Sequence, residues 1–372
     1  MKNILKKTYI EIDLTAIRKN LESIKKHTDN KSVLLAVKAD GYGHGAVQVS
    51  RLAEENSLAD MLGVSSPVEG IELREAGIKL PVLNLGLILP RKEEIEALLD
   101  YNISQTVADL SLAEMISAAA SKKRKTLKLH LKIDTGMGRI GCMPNEALEI
   151  GKRISVLPGV ILEGIFTHCP VPDDPESEFT RNQINIFKSL IIEFEKNKLD
   201  VKYRHMANSA AILNYKESMF NMVRPGIMAY GYRPSRNCNS SVKLIPSMTF
   251  KSCIVFIKRV KKDTPLSYGL TYKTGSDTNI ATIPAGYGDG YSRFLSNKAC
   301  VIISGKMYWV AGRVCMDQIL VDLGNDEYPV GTEVVLFGKD KVTAETIAEL
   351  IGTIPYEVTC GISKRVQKVY IS

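Results

Sequence analysis

No two cysteines in this 372-residue chain are spaced as C-x-x-C. The seven that occur, Cys142, Cys169, Cys238, Cys253, Cys300, Cys315 and Cys360, are odd in number and widely scattered. That pattern excludes a disulfide framework and is expected of reduced thiols in a cytoplasmic protein. No His/Cys/Asp spacing suggests a metal, so none is expected. Long apolar runs are also missing. The nearest candidate for a membrane span, Leu80 to Leu89, is broken by Pro81 and Asn84, and no membrane association is expected. The first residues, Met1 to Lys7, have neither an apolar core nor a small-residue cleavage site, so they do not read as a signal peptide. Charge is only mildly skewed, with 49 basic against 41 acidic residues and a net +8. The tightest basic cluster, Lys122-Lys123-Arg124-Lys125, has no interleaved aromatics. It reads as a solvated helix end or loop, and no nucleic-acid partner is expected. The positive balance weakly favours an anionic ligand such as a phosphate. Internal repeats and low-complexity tracts are absent.

What is present is alternation. Apolar strand candidates at 33–38, 62–65, 82–86, 104–108, 128–133, 162–167, 203–206 and 222–223 are separated by amphipathic stretches such as 69–76, 92–99, 112–119 and 183–194. A helical pattern over 15–26 precedes them. Eight strands alternating with helices predict an α/β fold, a (β/α)8 TIM-type barrel, although an open doubly wound sheet alternates similarly. The barrel is favoured because Lys38, Gly86, Lys132, His168, Asn208, Ser209 and Arg224 gather at the C-terminal ends of the strands. That rim is where barrel enzymes assemble their sites. Beyond about residue 238 the pattern turns to strands at 252–260, 279–283, 299–303, 307–311 and 334–337, with turns such as Gly331-Thr332 and one helix over 344–351. The chain therefore divides into a barrel over 1–238 and a mainly β domain over 239–372. The extreme N-terminal strand is a candidate to pack with the second domain.

Ala36-Val37-Lys38-Ala39-Asp40-Gly41-Tyr42-Gly43-His44-Gly45 ends an apolar strand on a lysine and continues into a glycine-rich turn. Burial strips an ammonium of water, lowers its pKa and makes the amine nucleophilic. Imine formation with an aldehyde needs such an amine, and glycines let the backbone approach an anion. Alone, such a lysine reads as a snorkelling side chain before an ordinary turn. The string around it changes the reading.

This string resembles the cofactor-lysine motif of the alanine racemase family, pyridoxal 5′-phosphate (PLP) enzymes of fold type III. Further matches follow in order. They are Leu131-Lys132-Ile133-Asp134-Thr135-Gly136-Met137-Gly138-Arg139-Ile140-Gly141, Ala207-Asn208-Ser209-Ala210, Val223-Arg224-Pro225-Gly226-Ile227, Ser267-Tyr268-Gly269 and Gly312-Arg313-Val314-Cys315-Met316-Asp317-Gln318. Each is modest evidence; in this order, across both domains, they are strong.

The resemblance implies the following roles. Lys38 carries PLP as a Schiff base and is one of two proton-transfer bases; Tyr268 is the other. A free phenol has a pKa of about 10, so it needs help to act near neutrality; His168 and Arg224 match the family's supporting residues. Arg224 faces the pyridine nitrogen, and a guanidinium cannot accept its proton. The ring is thereby a weaker electron sink, which suppresses side reactions. Ser209, the N–H groups of Gly226 and Ile227, and the hydroxyls of Tyr42 and Tyr356 hold the phosphate, with Asn208 bracing them. Unaided, Tyr356 reads as a loop tyrosine. Arg139 binds the phenolic oxygen and the substrate carboxylate, held by Lys132 if that lysine is carbamylated. Met316 and Asp317 bind substrate, and with Tyr268 they come from the partner of an obligate homodimer. Tyr287 and Tyr356 narrow the entrance. His44 reads as support for the lysine turn, and His205 as either a brace for the cofactor ring or a satisfied core histidine.

The resemblance frays at Cys169-Pro170-Val171-Pro172-Asp173-Asp174-Pro175-Glu176, where many relatives carry an aromatic or aliphatic residue followed by alanine or serine, and at Gly41, where alanine is common. Substrate identity is thus less fixed than reaction type. The leading expectation is alanine racemisation supplying D-alanine for peptidoglycan. A serine, lysine or broad-specificity racemase is the alternative. A non-catalytic PLP-binding protein is disfavoured by the second domain with its Tyr268 and Met316 segments, and a barrel decarboxylase by Arg224.

Overall fold

The structure is a computed structural model that describes residues 7–372. Of the Met1 to Lys7 segment, read above as no signal peptide, all but Lys7 lies outside the described residues. Strand β1 (Tyr9–Asp13) and helix α1 (Leu14–His27) come first. Eight strands follow: β2 (Ser32–Ala36), β3 (Met61–Val64), β4 (Val82–Asn84), β5 (Ile103–Val107), β6 (Leu127–Lys132), β7 (Val160–Phe166), β8 (Tyr203–His205) and β9 (Met222–Val223). Each pairs in parallel with the next, and β9 returns to β2 through Met222 opposite Ser32 and Val223 opposite Val33. The sheet closes, which decides for the TIM-type barrel over the open sheet.

Between the strands run α2 (Lys38–Tyr42), α3 (Ala46–Glu55), α4 (Pro67–Glu75), α5 (Lys92–Asp100), α6 (Leu110–Lys123), α7 (Pro144–Ser155), α8 (Glu178–Lys196) and α9 (Ser209–Asn214). Their starts are written locally. Ser66, Asp109, Ser177 and Asn208 each accept a hydrogen bond from a first-turn amide of the helix that follows, capping donors that the helix cannot satisfy itself. The strands β3, β4, β5 and β9 are buried at every residue, as expected of a parallel sheet covered on both faces. Leu34, Met61, Leu83, Tyr203 and Met222 fill one part of the interior. The Lys122–Lys125 cluster falls at the end of α6, where Lys123 and Lys125 both pair with Asp100.

Residues 230–232 and 245–372, with the described residues up to Ile17, form a second compact unit. Its strands are β10 (Met248–Cys253), β11 (Phe256–Val260), β12 (Pro265–Leu266), β13 (Tyr272–Lys273), β14 (Thr278–Ile283), β15 (Cys300–Ile303), β16 (Lys306–Val310), β17 (Ile319–Gly324), β18 (Glu333–Phe337) and β19 (Gln367–Ile371). A nine-stranded sheet has the order β11-β14-β17-β16-β15-β18-β10-β1-β19, and β12 pairs with β13. β1 joins it antiparallel to β10 and parallel to β19. Burial alternates along β1 and β10, the mark of a sheet with one covered face.

Two sequence expectations are corrected here. The single strand over 252–260 is two strands, because buried Ile254 leaves the ladder: its N–H donates to Thr332 O at 2.9 Å and its carbonyl accepts from Gly331 N at 2.8 Å. Besides α10 (Ala344–Ile351) there is a second short helix, α11 (Pro355–Cys360), so Tyr356 is helical rather than in a loop. Pro355 sits at its start, where the missing N–H costs nothing. All seven cysteines are free thiols. Among the described residues no helix is long and apolar enough to cross a membrane, and no group of His, Cys, Asp or Glu could hold a metal ion.

Candidate active site

Lys38 follows β2 at the C-terminal rim of the barrel and opens α2, whose middle is not right-handed. Ala39, Asp40, Gly41 and Tyr42 have φ of 52°, 52°, 60° and 54°. For residues with a Cβ, left-handed backbone costs roughly 1–2 kcal/mol each, so contacts must hold the turn. Asp40 Oδ1 accepts from Ala46 N at 2.8 Å. Glu69 of α4 accepts from Ala39 N at 2.8 Å through one oxygen and from Ser65 N at 2.7 Å through the other. The Lys38 turn is thereby tied to the end of β3. His44 braces it from the other side, with Nδ1 at 2.9 Å from Tyr42 O.

Arg224, after β9, lies buried among the ends of β7 and β8. Its Nη2 donates to Thr167 O at 2.8 Å and Met206 O at 2.9 Å, and lies 3.2 Å from His168 Nδ1; Nη1 lies 3.2 Å from His205 Nδ1. The Phe166 ring lies 5.5 Å from the guanidinium. Burial pulls Arg224 down to about 10, and it remains a cation at neutral pH. Burial and the Arg224 charge push His168 and His205 well below the ordinary imidazole range. Both are neutral. With Nδ1 accepting from Arg224, each carries its proton on Nε2.

Beside Arg224, Ser209 Oγ accepts from Gly226 N at 2.9 Å and Met228 N at 3.4 Å. A Cβ on Gly226 would lie 2.5 Å from Tyr42 Oη. Only glycine lets that hydroxyl, Ser209 and the 226–228 amides converge. Ile227 is buried within this turn. Asn208 caps α9 through Ala211 N at 3.1 Å and reaches Cys169 O at 3.4 Å. A hydroxyl, a phenol and backbone amides meeting beside a buried cation fit a phosphorylated aromatic ligand such as PLP.

Lys132 ends β6, buried, with Nζ 4.9 Å from the Phe166 centroid. Its Nζ has no hydrogen-bond partner among the described residues. Burial, reinforced by the Arg224 charge, lowers it to about 7. Arg139 lies exposed in the following loop. Asp134 shapes that loop by accepting from the N–H groups of Gly136, Met137 and Gly138 at 2.9, 2.8 and 3.1 Å. The bridge between Ile133 and Cys142 closes its neck.

In the β domain, Tyr287 N donates to Cys315 O at 3.0 Å and Gly288 N to Met316 O at 2.9 Å, bringing Tyr287 to the Met316-Asp317 segment. Arg365 binds Asp317 at 2.9 Å and Asp289 at 2.7 Å. Tyr268 stands on a turn, 70% exposed, behind Ser267 at φ 60°. Ser267 Oγ donates to Arg313 O at 2.7 Å, fastening that turn to the Arg313 segment. Tyr356 is partly exposed on α11.

The structure thus gathers Tyr42, Ser209, Gly226, His168 and Arg224 on the barrel rim, and Tyr287, Met316 and Asp317 in the β domain. Sequence reasoning missed Glu69, Asp134, Asp289 and Arg365. The first two carried local signals, a Ser66-x-x-Glu69 capping pattern and an Asp134-x-Gly136 turn; the ion pairs of Arg365 carried none.

Both parts of the chain have counterparts among known proteins. Residues 12–234 match the family described as alanine racemase, N-terminal domain, and 247–370 the alanine racemase C-terminal domain. The chain is 42% identical to an alanine racemase of Clostridium novyi over 99% of this chain and 96% of that one. It is 44% identical to one of Cutibacterium acnes over 97% and 96%. The solved alanine racemase of Clostridium difficile 630 superposes with a TM-score of 0.93 at 41% identity, covering 98% of this chain and 96% of that one. A structure of the same protein in complex with cycloserine gives 0.92 at 40% identity, with 98% and 96% covered. With both domains matched in order and nearly the whole length aligned, this chain belongs to the alanine racemase family.

Proposed function

We propose that the chain interconverts L- and D-alanine with PLP by a two-base mechanism, and so supplies D-alanine for peptidoglycan in the cytoplasm. The observation that carries this reading is the barrel rim, where the buried Arg224 cation stands beside the Ser209, Gly226 and Tyr42 cradle. PLP, when bound, supplies the electron sink that makes the α-hydrogen of an amino acid acidic. Lys38 is its anchor and one base. Ser209, Tyr42, Tyr356 and the amides of Gly226 and Ile227 bind its phosphate, and Asn208 holds Ser209's helix start. Arg224 offers only N–H donors, so it would hold a cofactor ring nitrogen unprotonated and would thereby weaken the ring as an electron sink.

Tyr268 is the second base. The His168 proton, directed to Nε2 by the Arg224 contact, would be available to the Tyr268 phenol oxygen. Two bases on opposite faces of the α-carbon let one remove a proton and the other return it. Tyr268, Met316 and Asp317 act from the second subunit of a homodimer. Their exposure, 70% for Tyr268 and 53% for Met316, suits a surface that another copy covers. Arg139 and the Met316 amide receive the substrate carboxylate. Tyr287 and Tyr356 restrict the entrance.

Lys132 is carbamylated in this reading. Its amine, lowered to about 7, can attack carbon dioxide at neutral pH and release a proton. The carbamate anion then gives Arg139 a partner. Labelled bicarbonate should yield a carbamate carbon resonance that is lost in Lys132→Ala; an intact mass with no carbon dioxide adduct would remove this step.

Initial rates on single enantiomers test the substrate. Faster turnover of L-serine or L-lysine than of L-alanine would favour the broader racemase. Borohydride reduction followed by peptide mapping tests the anchor, and a pyridoxyl group on any residue but Lys38 would overturn it.

A further inference from the structure

A row of polar side chains crosses the barrel interior below Arg224. His205 Nδ1 lies 3.2 Å from Arg224 Nη1, and His205 Nε2 lies 2.9 Å from His130 Nδ1. His130 Nε2 lies 3.3 Å from one Glu163 oxygen, and the other Glu163 oxygen lies 2.6 Å from Lys128 Nζ. Both histidines are fully buried and Glu163 nearly so, whereas the Lys128 side chain is 43% exposed. The row therefore connects the rim to solvent.

Three adjacent strands build it. His130 of β6 stands level with Gly164 of β7, and a Cβ there would lie 2.5 Å from His130 Nδ1. Phe166 of β7 stacks on His205 of β8, with centroids 4.7 Å apart and planes at 2°. The rings have little freedom to turn.

Counting donors and acceptors fixes the direction of the row. A guanidinium only donates and a carboxylate only accepts, while a neutral imidazole does one of each. A single assignment satisfies every contact. Arg224 donates to His205 Nδ1, His205 Nε2–H donates to His130 Nδ1, and His130 Nε2–H donates to Glu163. A doubly protonated His130 would donate through Nδ1 instead. His205 would then carry its proton on Nδ1, pointing at an Arg224 N–H. Burial lowers both imidazoles, in keeping with the neutral assignment.

We infer that Glu163 is a positioning residue which, through His130 and His205, fixes the direction of this row and so presents Arg224 with a lone pair. The inference rests on the proposed racemase reading for what Arg224 does, but not for the row itself. Glutamine at 163 could keep the contact but could also donate, so the row could reverse. Arg224 Nη1 would then lose its acceptor, and the guanidinium would be free to shift.

Nitrogen-15 spectra of the holoenzyme labelled at histidine test this. The chain has five histidines, so single substitutions assign them. His130 and His205 should both be Nε2–H tautomers. In Glu163→Gln, His130 should become a mixture of tautomers, and kcat on alanine should fall about tenfold with KM little changed. Lys128→Gln, which keeps the carboxylate, should leave both tautomers as they are. A proton on His130 Nδ1, alone or with one on Nε2, overturns the inference from the unaltered protein. So does a Glu163→Gln enzyme with native tautomers or native kcat. If the unaltered holoenzyme fails to racemise alanine, the proposed function falls, while the tautomers remain readable.

Discussion

The two groups of site residues are held by opposite means. On the barrel rim, Arg224 is buried and bonded to carbonyls and imidazoles, and its neighbours are driven neutral. In the β domain, Tyr268, Tyr287 and Met316 are exposed, and exposed Arg365 ties the exposed Asp317 to the buried Asp289. A buried polar network in a low-dielectric core is costly to disturb, because each lost partner leaves another group unsatisfied. An exposed ion pair is worth about 1 kcal/mol or less. The rim can therefore fix charge and tautomer rigidly. The exposed group is suited to meeting another surface.

Acid should break this comparison most visibly. All five histidines belong to the barrel unit. His130, His168 and His205 have folded pKa values below the ordinary 6.5, so the folded state resists binding their protons. Stability from these groups is complete above that value and is lost as pH falls below it. Glu163 adds a second loss. Burial alone would raise its carboxyl, but the hydrogen bonds from His130 and Lys128 outweigh burial and bring it from 4.5 to about 2, so its contribution declines between those values. Hydrogen exchange at decreasing pH should show barrel amides opening before those of the nine-stranded sheet. Simultaneous loss would mean that the buried imidazoles do not govern acid stability.

Arg224→Ala should be the most damaging single substitution on the rim. It leaves Thr167 O, Met206 O and two imidazole nitrogens without their donor. Stability should fall by on the order of 3 kcal/mol, read as a lower urea midpoint. An unshifted midpoint would mean that water replaces the guanidinium at no cost. Gly164→Ala comes next. Its Cβ would meet His130 Nδ1 at 2.5 Å and Tyr203 O at 3.0 Å, a backbone neighbour that cannot retreat easily. Overpacking of this kind costs about 1–3 kcal/mol, and it should also disturb the His130 tautomer. An undisturbed ring would show that Gly164 only spaces the strands.

The architecture was legible because apolar strands alternate with helices and carry polar residues at one end. Lys38 could be placed at the end of a strand for the same reason. Its left-handed turn could not, since Ala39 and Tyr42 are not residues that announce positive φ and Asp40 alone is a weak signal. That conformation is held by Asp40 and by Glu69, 30 residues away. The His130, Glu163 and His205 row was hidden for a different reason. Barrel strands are buried on both faces, so alternation no longer distinguishes inward positions, and strand-to-strand register is not written in any one segment. The break at Ile254 likewise depends on the Gly331-Thr332 turn that receives its backbone bonds.

Tyr268→Phe should produce the smallest change in stability and the sharpest test of the contrast. It removes one oxygen from a side chain that is 70% exposed, so stability should stay within about 0.5 kcal/mol. On the proposed two-base reading racemisation should nevertheless collapse, because one face of the α-carbon would lose its base while Lys38 would still serve the other. Incubation of each alanine enantiomer in D2O separates the faces. One enantiomer should continue to exchange its α-hydrogen for deuterium without inverting, and the other should not exchange. If both still exchange at native rates, Tyr268 is not the second base, and the exposed group would contribute binding surface without proton transfer.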